Sequence, residues 1–161
     1  MPFKTVIVVF WHLAKKHRTG LELMHIAAGI LYPQALATSL TLPMEILQAA
    51  SQMASVQIRG ESQVEFLLAA PSRRQMTLDS GIILKPTATL ETLPTLDLLL
   101  VPAIWRNPLS VLRNADPLLT LLNTQAQRGT RICSVGTGSF LLAEAGLLNG
   151  RPATTHWNYF E

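Results

Sequence analysis

The stretch that most limits the folds open to this chain is Leu96 to Val101, LDLLLV, set between Pro94 and Pro102. A short apolar run bounded by prolines is the pattern of a strand covered on both faces, and such strands belong to parallel sheets packed between helices. This run is expected at the sheet centre. Three more runs read as strands: His25 to Tyr32 (HIAAGILY) before Pro33, Val64 to Ala70 (VEFLLAA) before Pro71, and Thr130 to Val135 (TRICSV) before the tight turn Gly136-Thr137-Gly138. Helical spacing fills the intervals. Leu42, Ile46, Leu47, Ala50 and Met53 form one apolar stripe of a helix running to about Ala54, with Ser39 as its cap and Pro43 tolerated in the first turn. Pro108 to Gln127 is helical in period, interrupted near Asn114-Ala115-Asp116-Pro117 and stopped by Gly129. Phe140 to Leu148 predicts another helix, ended by Asn149-Gly150. Met76 to Leu84, broken at Asp79-Ser80-Gly81, reads as a small hairpin or a loop-strand excursion rather than a core strand, and Ala153 to Trp157 as another strand. Strands alternating with helices define an α/β chain with a mostly parallel sheet and helices on both faces.

The 161 residues are enough for one core of helices on a sheet, and a composition 48% hydrophobic and 14% charged excludes a disordered chain. The opening segment Val6-Ile7-Val8-Val9-Phe10-Trp11 is far shorter than the roughly 20 residues needed to span a bilayer. The basic cluster Lys15-Lys16-His17-Arg18 follows it, whereas a secretory signal places positive charge first. Residues 1–23 are therefore expected to lie outside the fold, with the domain spanning 24–161 and Met24 standing as an alternative start to Met1. The net charge is +3 and the isoelectric point near 9.4. The basic residues are scattered apart from Lys15 to Arg18 and the pair Arg73-Arg74, which reads as solvated surface rather than a nucleic-acid footprint. The single cysteine, Cys133, excludes an intramolecular disulfide and a multi-cysteine metal site, and fits a reducing cytoplasm. His12, His17 and His25 lack ligand spacing, so neither a metal nor a cofactor is expected.

Arg131 to Trp157 reads RICSVGTGSFLLAEAGLLNGRPATTHW. This stretch resembles the elbow region of GlxA-type AraC-family regulators, whose pattern runs C-T-G-[AS]-F-x-L-A-x-A-G-L-L-x-G-R-x-A-T-T-H-W. The strand and proline at Ile30 to Pro33, the segment Leu42-Pro43-Met44-Glu45-Ile46-Leu47, and Asp97 to Pro102 support the likeness, which covers residues 24–161. It implies a ThiJ/PfpI domain, related to the glutamine amidotransferases, with a flavodoxin-like α/β fold. Complete members of that family continue past T-T-H-W and then carry a pair of helix-turn-helix motifs. The resemblance thus implies that the C-terminal part of the domain is missing here, and that this chain alone does not bind DNA.

In that superfamily a nucleophilic thiol sits on a sharp strand-to-helix turn, where free N–H groups and the helix dipole lower its pKa. The matching position here is Gly136, which has no side chain to attack with. Cys133, three residues earlier, falls within a strand and reads as a small core hydrophobe. The acidic residue that supports the thiol in many relatives aligns with Ser39, and the glycine pair after the central strand is replaced by Ala103-Ile104. His156 matches the histidine of T-T-H-W and reads as a structural hydrogen-bonding residue. No catalytic residue is therefore expected. The expected function is a non-catalytic ligand-sensing and dimerisation domain, with a small-molecule effector bound around Ser39, Ala103, Trp105, Gly136, Thr137 and Gly138, at the carboxyl ends of the strands. Alternatives are an amidase, isonitrile hydratase or glyoxalase-like enzyme, and a non-functional truncated fragment. With the sheet edge and one apolar face left open, homo-oligomerisation is expected.

Overall fold

The computed structural model describes residues 8–11, 25–57 and 64–159. Its strands, in chain order, are β1 (Val8–Trp11), β2 (Ile26–Ile30), β3 (Glu65–Ala70), β4 (Met76–Thr77), β5 (Ile83–Leu84), β6 (Ala88–Thr89), β7 (Leu98–Val101) and β8 (Arg131–Val135). The helices are α1 (Ala37–Gln57), α2 (Pro108–Leu112), α3 (Asp116–Gln127) and α4 (Ser139–Glu144). Six strands make one sheet in the order β1-β8-β7-β2-β3-β6, and β4 and β5 pair separately as the expected hairpin. The five strands from β8 to β6 are parallel, and β1 runs antiparallel along β8. This is the flavodoxin-like α/β arrangement, with β7 in the sheet interior.

All four residues of β7 are buried, and they alternate between two apolar layers as a pleated strand requires. Leu98 and Leu100 join Ala27, Leu31, Leu40 and Cys133 beneath α1, where Met44 and Leu47 also pack. Leu99 and Val101 face the opposite layer, with Ile132 and with Val111, Leu118, Leu122, Leu141 and Leu142 from α2, α3 and α4. Helices thus cover both faces, and each fully buried leucine contributes roughly 1.5–3 kcal/mol. Two polar clasps fix where the strands begin. Asp97 Oδ2 accepts the amides of His25 and Ile26 at 2.8 and 3.0 Å, aligning the starts of β2 and β7. Gln125, fully buried at the end of α3, donates to Pro94 O at 2.8 Å and accepts from Leu96 N at 3.3 Å and the Thr130 hydroxyl at 2.7 Å. Gly129, at φ 86, then turns the chain into β8, and the break between α2 and α3 falls where the sequence places it.

Four expectations are corrected. Val8–Trp11, assigned to an extension outside the fold, closes the edge of β8 in the register Val8↔Val135 to Trp11↔Ile132. The rest of residues 1–23 lie outside the described residues. Ala153 to Trp157 forms no strand, because β1 and β7 already occupy both edges of β8, and Trp157–Tyr159 is instead a single 3-10 turn. α4 stops at Glu144 rather than Leu148, since Gly146 enters the left-handed region at φ 73. α1 starts at Ala37, so Ser39 lies inside its first turn rather than at the cap, and Pro43 lies inside the helix. Its expected apolar stripe exists, but Leu42, Ile46 and Met53 point to solvent, while the sheet is met by Leu40, Met44 and Leu47. Among the described residues no helix is long and apolar enough to cross a membrane.

Candidate functional site

β8 ends in an elbow. Val135 is still extended, Gly136 turns at φ 49, and Gly136–Gly138 make one 3-10 turn that runs into α4. The left-handed φ favours glycine, yet space is not the constraint, because a Cβ built at Gly136 would touch only Ala103 Cβ, at 3.8 Å. Gly138 is the opposite case. A Cβ there would lie 2.5 Å from Pro102 O and 2.8 Å from Val101 O, so the turn rests directly on the backbone leaving β7.

That backbone, Pro102 to Arg106, is held by six residues from three segments: 32–39, Thr137 and Tyr159. The Tyr32 hydroxyl donates to Pro102 O at 2.5 Å. Ser39 Oγ accepts the Ala103 amide at 2.8 Å while donating to Leu36 O at 2.7 Å, and Leu36 N donates to Ala103 O at 2.8 Å. Thr137 Oγ1 accepts from Ile104 N at 2.8 Å and reaches Ile104 O at 2.9 Å. Trp105 N donates to Gln34 O at 2.6 Å, and the Tyr159 hydroxyl donates to Arg106 O at 2.9 Å. Arg106 takes φ 66, an unusual conformation for a residue with a side chain. The amides of Ala103, Ile104 and Trp105 are all engaged inside the protein, and none is left to bind a developing oxyanion.

The elbow is closed from the other side by the residues after α4. Ser139 Oγ donates to Gly136 O at 2.9 Å and lies 2.9 Å from Thr155 Oγ1. The Tyr159 ring stands edge-on to Phe140, with centroids 5.4 Å apart, and the His156 ring lies 6.2 Å from Tyr159. Cys133 faces the layer under α1 at 5% exposure, and burial pushes its thiol up to about 11. A neutral, buried thiol is a core side chain.

The structure therefore gathers Ser39, Ala103, Gly136, Thr137 and Gly138 around one junction, with Trp105 beside them and 39% exposed. The Ser39 and Thr137 hydroxyls both bond this loop. Tyr32, Ser139, Thr155 and Tyr159 were not singled out from sequence, because their partners are backbone carbonyls or hydroxyls that no spacing reveals. A separate groove of about 340 Å³ runs between α3 and the loop after β6, lined by Leu90, Leu93, Leu121, Thr124 and Gln125, with Glu91 and Arg128 among its charged residues. It shares no residue with the elbow.

An open parallel sheet with a tight turn at the end of β8, leading into a helix over the neighbouring strand, defines the class of elbow-bearing α/β proteins. The chain belongs to the DJ-1/PfpI family, which residues 31–161 match. It is 33% identical over 132 residues to an isonitrile hydratase of Pseudomonas putida, covering 82% of this chain and 52% of that protein. It is 36% identical over 84 residues to the HTH-type transcriptional regulator GbdR of Pseudomonas aeruginosa, covering 52% of this chain and 22% of the regulator. A solved ThiJ/PfpI family protein from Pseudomonas syringae superposes with a TM-score of 0.66 at 27% identity, covering 91% of this chain and 59% of that one. The chain thus spans about half the length of the hydratase and less than a quarter of the regulator.

Proposed function

We propose that this chain is a non-catalytic, ligand-sensing and dimerising domain of an AraC-type transcriptional regulator, in which DNA is contacted by other segments of the full-length protein. The observation that carries the reading is the elbow. Its apex is a glycine, and the amides of Ala103, Ile104 and Trp105 on the facing loop are bonded internally. The similarity to a helix-turn-helix regulator supports the regulatory context. We assign the effector to the surface around Ser39, Ala103, Trp105, Gly136, Thr137 and Gly138, where the loop bonded by Ser39 and Thr137 carries the half-exposed Trp105.

A thermal-shift screen over amino acids, amines and small carboxylates tests this. At least one class should raise the melting temperature, and Trp105→Ala should abolish the shift. Silence across the panel defeats the sensing reading. A shift lost in Thr124→Trp but kept in Trp105→Ala moves the site to the groove beside α3. The 33% identity to an isonitrile hydratase favours a second reading, an enzyme of the same fold. Hydration of an isonitrile by the unaltered chain, above the uncatalysed rate, would establish that reading and end the first.

A further inference from the structure

The groove beside α3 originates in a short crossover. β6 and β7 are parallel strands of one sheet with β3 and β2 between them, and residues 90–97 make the whole connection without a helix. A parallel crossover usually takes a dozen or more residues and includes a helix. The stretched loop covers less of the sheet than a helix would, and the groove of about 340 Å³ lies between it and α3. That volume falls at the lower end of small-molecule sites, which span about 300–1,000 Å³. We propose that this groove is a ligand site in its own right, apart from the elbow, and that it takes a small ω-amino acid, a zwitterion whose ammonium and carboxylate are held apart by an apolar chain.

Floor and rim recognise different parts of such a molecule. Leu90, Leu93 and Leu121 form a buried apolar floor for its chain. On the rim stand Glu91 and Arg128, both exposed. They do not neutralise each other, since no ion pair joins them and the Glu91 carboxylate has no partner among the described residues. Arg128 makes one contact, Nη1 to Leu93 O at 3.5 Å, and most of its five N–H donors stay open. That contact also sets the scale of the ligand. Glu91 and Leu93 are two residues apart, so their Cα atoms lie at most about 7 Å from each other, and Leu93 O anchors the guanidinium. Opposite charges set apart along a leucine floor match a ligand charged at both ends and apolar between. An α-amino acid, with both charges on one carbon, reaches one of the two groups. A plain carboxylate meets Arg128 but is repelled by Glu91, and a plain amine meets the converse.

Isothermal titration of the chain with ε-aminocaproate, whose chain has a comparable reach, tests the assignment, with hexanoate and hexylamine as single-charge controls. ε-Aminocaproate should bind at least about ten times more tightly than either control. Glu91→Gln should lower its affinity to that of hexanoate, and Arg128→Gln to that of hexylamine, both variants keeping the native circular dichroism because the positions are exposed. Thr124→Trp, which fills the groove, should abolish binding, whereas Trp105→Ala should leave it unchanged. No binding of ε-aminocaproate, or equal binding of hexanoate, overturns the proposal. Binding lost in Trp105→Ala and kept in Glu91→Gln would put the ligand at the elbow and overturn it as well. An elbow that binds no effector leaves this outcome untouched, so the two sites stand or fall separately.

Discussion

Residue 133 and residue 136 divide between them what one cysteine does in a nucleophile elbow. The thiol at 133 fills the layer under α1, and the apex at 136 offers only a backbone bend. In the native chain Cys133 should resist an aromatic disulfide reagent at pH 7, whereas Gly136→Cys should add one rapidly labelled thiol. Equal labelling of the two proteins would show that the apex is not accessible. The Cys133 ionisation also sets an alkaline limit. Its pKa is raised from 9.0 to about 11 in the fold, so the neutral form is the native one. The stabilisation is complete below pH 9 and is lost as pH rises towards 11, by about 2–3 kcal/mol in all. Burial raises the Tyr32 phenol in the same direction. Denaturant titrations at pH 8 to 11 should show this decline, and Cys133→Ala should flatten part of it. Ser134 Oγ is buried without a hydrogen-bond partner among the described residues. Ser134→Ala should therefore raise unfolding free energy by about 1 kcal/mol, measured by urea denaturation.

At the scale of elements, the strands legible in sequence were those whose apolar runs end in proline or in the Gly136 turn, because burial on both faces leaves its mark in the run itself. β2, β3, β7 and β8 are of that kind. β1 was missed because pairing between Val8–Trp11 and Arg131–Val135 joins segments at opposite ends of the chain, and no local pattern encodes it. The same event removed the ladder that Ala153 to Trp157 would have needed. The outward turn of α1 was illegible for another reason, since periodicity gives the width of a stripe and not the side on which the sheet lies. The elbow was recognisable through its family pattern alone, and the Tyr32 and Tyr159 bonds that complete it join aromatic side chains to distant carbonyls. The Gln125 clasp holds α3, β7 and β8 together, so Gln125→Ala should strand the Leu96 amide and Pro94 carbonyl and cost about 2–4 kcal/mol. A loss under 1 kcal/mol in the same urea titration would show that the clasp is dispensable.

For the whole molecule, the dimerising half of the proposed function ties stability to concentration. The melting temperature should rise with protein concentration, since association favours the folded state by mass action. A melting temperature independent of concentration would count against dimerisation. The parallel sheet lies between two apolar layers, and both depend on β7, so one cooperative transition is expected at each concentration. Calorimetry that resolved two transitions in a dilute sample would show the layers melting separately.

The backbone after β7 carries one more implication. Because Ser39 and Thr137 hold the amides of Ala103 and Ile104, a sulfur placed at position 136 would gain no oxyanion donor from either of them. Such a variant would be alkylated readily and would turn over nothing. On the non-catalytic reading, an engineer who wanted a catalyst here would first have to untie two hydroxyls that serve as rivets.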